Sequence, residues 1–122
     1  FILVNYANAD MVGHTGNYQA TIKAIESIDL CLRRLKNAAD KSGYTLFLTA
    51  DHGNADQMMY EDGRPHTSHT NSKVPFIVID ERLRHKKLLT KENSALMDVA
   101  PTVLNAMGIE CPANFVGKTI FE

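Results

Sequence analysis

The chain has 122 residues, 44% hydrophobic and 22% charged, with a formal net charge of −1. That composition suits one globular domain of modest size. The near-zero charge gives no reason to expect a nucleic-acid partner or a membrane surface, and no apolar run approaches the roughly 20 residues of a membrane span. Cys31 and Cys111 lie far apart with no CxxC spacing, so reduced thiols in a cytoplasmic protein are expected rather than a disulfide.

The chain opens on an apolar run, Phe1 to Val4, which reads as a strand buried on both faces. It carries no initiating methionine, no signal peptide and no cap, so the chain is expected to be the C-terminal part of something longer. Asn5 to Asn17 holds two glycines and many small polar residues and reads as a loop. Within it, Asp10 and His14 stand four apart, a spacing that puts both side chains on one face of a helical turn. Asn17 is a suitable N-cap for an amphipathic helix over Tyr18 to Lys41, whose stripe is Ile22, Ile25, Ile28, Leu32, Leu35 and Ala39. That stripe should pack on a sheet. Lys41 suits the helix C-terminus and Gly43 its C′ position.

Thr45 to Thr49 is the next strand, and it runs straight into Ala50-Asp51-His52-Gly53-Asn54-Ala55-Asp56. Strand, helix, strand is a βαβ unit, so the two strands should be parallel with both exits on one edge of the sheet. The Asp10 loop is thereby expected beside Asp51 and His52. Asn54 to Lys73 is a long polar excursion with a turn signal at Asp62 to Pro65, followed by His66 and His69. One of these two histidines is expected to be an exposed loop residue. Val74 to Ile79 is the third strand and should run antiparallel to the others if His69 reaches the same edge. Asp80 to Glu92, which includes His85, is a charged, solvated connection to which no role is given. Asp98 to Met107 is a short helix with a buried stripe of Val99, Val103, Leu104 and Met107, ended by Gly108. The tail from Ile109 should pack on the surface. The expected fold is α/β, a mixed and mainly parallel sheet flanked by helices, with residues 1–122 forming one part of a domain.

The chemistry lies in the strand exits. A carboxylate beside an imidazole offers oxygen and nitrogen to a divalent cation. Each pair alone is also what a solvated loop or a turn aspartate looks like. Together, three of the five histidines (His14, His52, His69) and two aspartates (Asp10, Asp51) fall in three loops that the topology brings to one edge. Mixed Asp/His ligands suit Mn, Zn or Fe better than Ca, and no cysteine joins them to make a structural zinc site. Five ligands exceed one tetrahedral ion with an open position, so two neighbouring metals are plausible, as in phosphoryl-transfer sites.

Four stretches, Asn5-Tyr-Ala-Asn-Ala-Asp-Met-Val-Gly-His-Thr-Gly-Asn17, Thr49-Ala-Asp-His-Gly-Asn-Ala-Asp56, Pro65-His-Thr-Ser-His-Thr70 and Asp98-Val-Ala-Pro-Thr-Val-Leu104, closely resemble the C-terminal segment of the cofactor-independent phosphoglycerate mutases. That family belongs to the alkaline phosphatase superfamily. The resemblance implies an isomerase of glycolysis that interconverts 3-phosphoglycerate and 2-phosphoglycerate through a phosphoserine intermediate. It implies two Mn2+ ions, with Mg2+ or another divalent ion in some members. Carried over by position, Asp10, His14 and His69 would hold one ion. Asp51 and His52 would share the second with a serine nucleophile and a further aspartate. In the family these two come from the N-terminal part, along with most substrate-binding residues, and Ser27, Ser42, Ser68, Ser72 and Ser94 do not match the nucleophile motif. The chain alone is therefore expected to be inactive, to hold no catalytic nucleophile, and to self-associate through exposed sheet edges. The alternatives are another phosphomutase or phosphohydrolase of the same superfamily, and a metal-binding regulatory domain that functions alone.

Overall fold

The computed structural model describes residues 1–84 and 94–121. Most of the charged connection, His85 included, lies outside the described residues. The chain forms two compact units, Phe1–Val78 and Ile79–Glu122, and the class is α/β as expected.

In the first unit, α1 (Asn8–Gly13) precedes the long helix α2 (Tyr18–Ser42). The start of α2 is fixed locally. The Asn17 side chain accepts a hydrogen bond from the Ala20 N–H at 3.0 Å, and the Thr21 hydroxyl donates to the Asn17 carbonyl at 2.9 Å. Its end is fixed by Gly43 in the left-handed region (φ 68°), which lets the next N–H, on Tyr44, reach back to the Ala39 carbonyl at 2.9 Å. Lys41 sits in the last turn, where a cation complements the helix dipole.

Two short strands, β1 (Leu46–Thr49) and β2 (Phe76–Ile79), pair in a two-stranded sheet. They are antiparallel, as expected for the strand after the polar excursion. The Thr49 hydroxyl, at the end of β1, donates to the Pro75 carbonyl, just before β2, at 2.9 Å. Phe47 and Phe76 face each other across the pair with ring centroids 6.2 Å apart.

Two expectations about this unit need correction. Phe1 to Val4 is not a strand: it has no ladder partner among the described residues, and Phe1 and Leu3 are 84% and 83% exposed. The parallel pairing with β1 is therefore absent among them, because apolar character alone cannot satisfy backbone N–H and C=O groups. The apolar stripe of α2 is also incompletely covered. Ile22 and Ile25 are exposed, and Thr21 is the buried residue of the helix. Four-residue strands span about 13 Å, whereas a helix of 25 residues extends about 37 Å.

In the second unit a 3-10 turn (Glu81–Leu83) is capped by the Asp80 carboxylate, which accepts from the Arg82 N–H at 2.8 Å. A second 3-10 turn (Leu96–Asp98) leads into α3 (Val99–Ala106). Thr102 is fully buried. Its hydroxyl donates to the Asp98 carbonyl at 2.6 Å and accepts from the Ile120 N–H at 3.1 Å, tying the tail to the helix. The Asp98 carboxylate accepts from the Ala95 and Lys118 N–H groups at 3.0 and 2.8 Å. Phe121 is buried at the end of this tail, while Met107, assigned to the stripe of α3, is exposed. Met107 is the C-cap, where the chain already leaves the packed face. Both cysteines are free thiols.

Candidate metal centre

The expected loop Asn5 to Asn17 contains one helical turn, α1, and that turn places Asp10 and His14 on one face as their spacing requires. The His14 Nε2 lies 3.2 Å from Asp10 Oδ1. His69, from the end of the polar excursion, brings its Nε2 to 3.2 Å from the same oxygen and 3.1 Å from His14 Nε2. Three donor atoms thus form a nearly equilateral triangle. Donors about 2.1 Å from a shared ion lie roughly 3.0–3.4 Å apart at octahedral to tetrahedral angles, so the triangle has the dimensions of one face of a coordination shell.

The backbone also orients the His14 ring. The Nδ1 of His14 is 2.7 Å from the Thr67 carbonyl, which can only accept, so Nδ1 carries the hydrogen and Nε2 keeps its lone pair. His52 is arranged alike, with Nδ1 3.3 Å from the Gly53 carbonyl. Its ring stacks on that of His69 at 3.6 Å between centroids, and ligand atoms of Asp10, His52 and His69 lie within 4.8 Å of one another. Asp51 stands further out. Its side chain is 85% exposed, with Oδ1 3.6 Å from His52 Nε2. The structure therefore gathers Asp10, His14, His69 and His52 closely and leaves Asp51 at the rim beside His52.

The convergence was expected from a parallel βαβ unit and is reached by another route. Asn54, just past the β1 exit, donates from Nδ2 to Asp10 Oδ1 at 2.7 Å and to the Asp10 carbonyl at 3.3 Å. Asp56 ties the same exit loop to the His69 segment. Its two carboxylate oxygens each accept from the Thr70 hydroxyl at 3.0 Å, while the Thr70 N–H donates to the Gly53 carbonyl at 2.8 Å. A Cβ at Gly53 would strike the Thr70 hydroxyl and the Asp56 carboxylate, so glycine is required for the approach. Gly16 has φ 68°, and a Cβ there would strike Pro65 and crowd Thr67, so glycine lets the chain after α1 lie close to this segment.

The electrostatics follow. The Asn54 hydrogen bond, helped by His14, His69 and His52, holds the Asp10 carboxyl below its usual pKa against the opposing effect of burial. Hydrogen bonds from Ser72 and Thr70 do the same for Asp56. Both groups are thus kept as carboxylates, the form that attracts cations.

His66 was open to being the exposed histidine and is instead buried, packed on Tyr60 at 4.6 Å between centroids, with Nδ1 lacking a partner among the described residues. It closes a hairpin in which its N–H donates to the Met58 carbonyl at 2.9 Å and Gly63 (φ 83°) makes the turn. The exposed one is His69, with half of its side chain in solvent. Sequence reasoning missed Asn54, Asp56 and Thr70 as organisers of the site. Nothing in their spacing marks them, since each works through a contact with a residue 14 or 44 positions away.

Comparison with known proteins places this cluster in a wider family. Residues 1–111 match the metalloenzyme superfamily, and the chain belongs to that superfamily. More narrowly, it is similar to 2,3-bisphosphoglycerate-independent phosphoglycerate mutases. It is 52% identical to that of Francisella tularensis over 99% of its own length, and 49% identical to that of Moorella thermoacetica over 98%. The chain spans 23% of the length of each of these relatives. Among solved structures it superposes on Leishmania mexicana phosphoglycerate mutase, crystallised at low cobalt concentration, with a TM-score of 0.83 and 34% identity. That match covers 97% of this chain and 24% of the other. No helix among the described residues is long and apolar enough to cross a membrane.

Proposed function

We propose that the chain is the C-terminal, metal-holding part of a phosphatase-like domain in a phosphoglycerate mutase that interconverts 3-phosphoglycerate and 2-phosphoglycerate in glycolysis. The observation that carries this is the donor triangle Asp10–His14–His69, with His14 Nδ1 held by the Thr67 carbonyl, on a chain half identical to such mutases. Asp10, His14 and His69 hold one divalent ion. His52 and Asp51 supply part of the shell of a second, beside the first. Two imidazoles and a carboxylate fit Mn2+, and the cobalt in the solved relative's crystals is compatible with the same donors. When bound, the ions supply Lewis-acid stabilisation of the transferring phosphoryl group. The chain's own residues orient these ligands and fix their protonation. The serine that would carry the phosphoryl group lies in the remainder of such an enzyme. The protein is cytoplasmic, and the isolated chain is inactive and self-associates through exposed sheet edges.

The test is a chimera. This chain replaces the matching segment of the Moorella thermoacetica mutase, and interconversion of the two phosphoglycerates is followed with added Mn2+. The expected result is manganese-dependent mutase activity that Asp10→Ala abolishes. A folded, metal-loaded chimera that hydrolyses other phosphoesters but leaves phosphoglycerate untouched would overturn the assignment.

A further inference from the structure

We propose that Asn54 is a positioning residue for the metal centre: its side-chain amide clamps the Asp10 carboxylate in its cation-facing orientation, and Gly13 makes room for the clamp. The inference rests on the reading of Asp10, His14 and His69 as a cation site.

Three observations carry it. First, the Asn54 amide nitrogen lies within reach of two Asp10 oxygens, Oδ1 at 2.7 Å and the main-chain carbonyl at 3.3 Å. An amide has two hydrogens to give, so one group holds both the carboxylate and the backbone that carries it. Oδ1 accepts from Asn54 on one side and faces the two imidazole nitrogens on the other, which fixes the carboxylate's rotation. Second, Asn54 is only 5% exposed, yet its Oδ1 is buried without a partner among the described residues. A residue serving only to fill space would be apolar, because an unpaired buried carbonyl is unfavourable. The donor end is what this position uses. Third, Gly13 is helical, with no positive φ to call for glycine, and a Cβ there would land on Asn54 Oδ1. The last residue of α1 lacks a side chain because the amide occupies its place.

The test compares wild type, Asn54→Ala and Asn54→Asp. The ionised aspartate keeps the shape and cannot donate. Two readouts are used: Co2+ titration followed by visible absorption, and NMR of the Asn54 amide hydrogens without metal. Wild type should show slowly exchanging Asn54 amide hydrogens in the metal-free chain. Both variants should bind Co2+ about ten- to a hundred-fold more weakly, as expected for loss of a group that orients a ligand. Their absorption bands should shift, while their circular dichroism stays native. A merely structural anchor would not move the bands. Either variant, natively folded with wild-type affinity and spectrum, overturns the inference, and so do rapidly exchanging Asn54 amide hydrogens in wild type. Should Asn54→Ala fail to fold, Asn54→Asp and the wild-type NMR decide. A wild-type chain that takes up no Co2+ overturns the cation reading and this inference together. Normal wild-type uptake with unimpaired variants overturns the inference alone.

Discussion

Two stretches of the first unit run against their own composition. Phe1 to Val4 is wholly apolar and lies exposed, without a strand partner among the described residues, while Asn54 to Thr70 is mostly polar and holds a tight network. Hydrophobicity says that a segment gains by being covered, but order at a given place needs partners for the backbone and for each polar atom. The polar stretch has them: Asp10 for Asn54, Thr70 for Asp56, Met58 for the His66 backbone. The apolar run has none among the described residues. In this unit the polar stretch is the better-partnered one because its charges and amides satisfy one another.

That contrast can be broken from its strongest point. Asp10→Ala removes a ligand and strands the Asn54 amide, and should weaken divalent-ion binding by about a hundred-fold or more by calorimetry. Retained affinity would mean that the polar network is incidental to the cation. Gly13→Ala drives a methyl group into Asn54 and should cost about 1–3 kcal/mol in urea unfolding, as overpacking does. A neutral result would show that the amide moves freely. Thr70→Val keeps the shape and deletes the hydroxyl donor to Asp56, and should cost about 1 kcal/mol at this partly solvated site.

The pH dependence sharpens the same point. Because the folded-state pKa of Asp56 is depressed from 3.8, its contribution is present above that value and is lost as pH falls through the lower folded one. Metal-free wild type should therefore lose stability below about pH 4, and Asp56→Asn should flatten that decline in pH-dependent melting. At the other extreme, Leu3→Ser should change stability by less than about 0.5 kcal/mol, since its side chain is already in water. A larger loss would mean that the apolar run is held after all.

What the sequence disclosed follows the same division. The ends of α2 were legible because Asn17 and Gly43 act within a few residues of themselves. So were β1, β2 and their antiparallel sense. Asp10 and His14 were legible as a pair because helical periodicity is local. The position of His69 beside them was inferred from a parallel βαβ unit that is absent among the described residues, and is produced instead by Asn54, Asp56, Gly53 and Thr70. Contacts of this kind leave no periodic trace. The burial of His66 against Tyr60 was likewise hidden, because a histidine in a polar loop looks the same whether it faces water or a ring. The apolar stripe of α2 was read correctly as a stripe and wrongly as covered, since pattern shows what a helix presents and not how much sheet there is to receive it.

The most direct test of the account is Mn2+ calorimetry on wild type, His69→Ala and a His85→Ala control, the last at a position the sequence gives no role. The account predicts binding by wild type and the control and loss of about two orders of magnitude in His69→Ala. Equal binding by all three, with His69→Ala natively folded, would contradict the claim that Asp10, His14 and His69 together grip a cation.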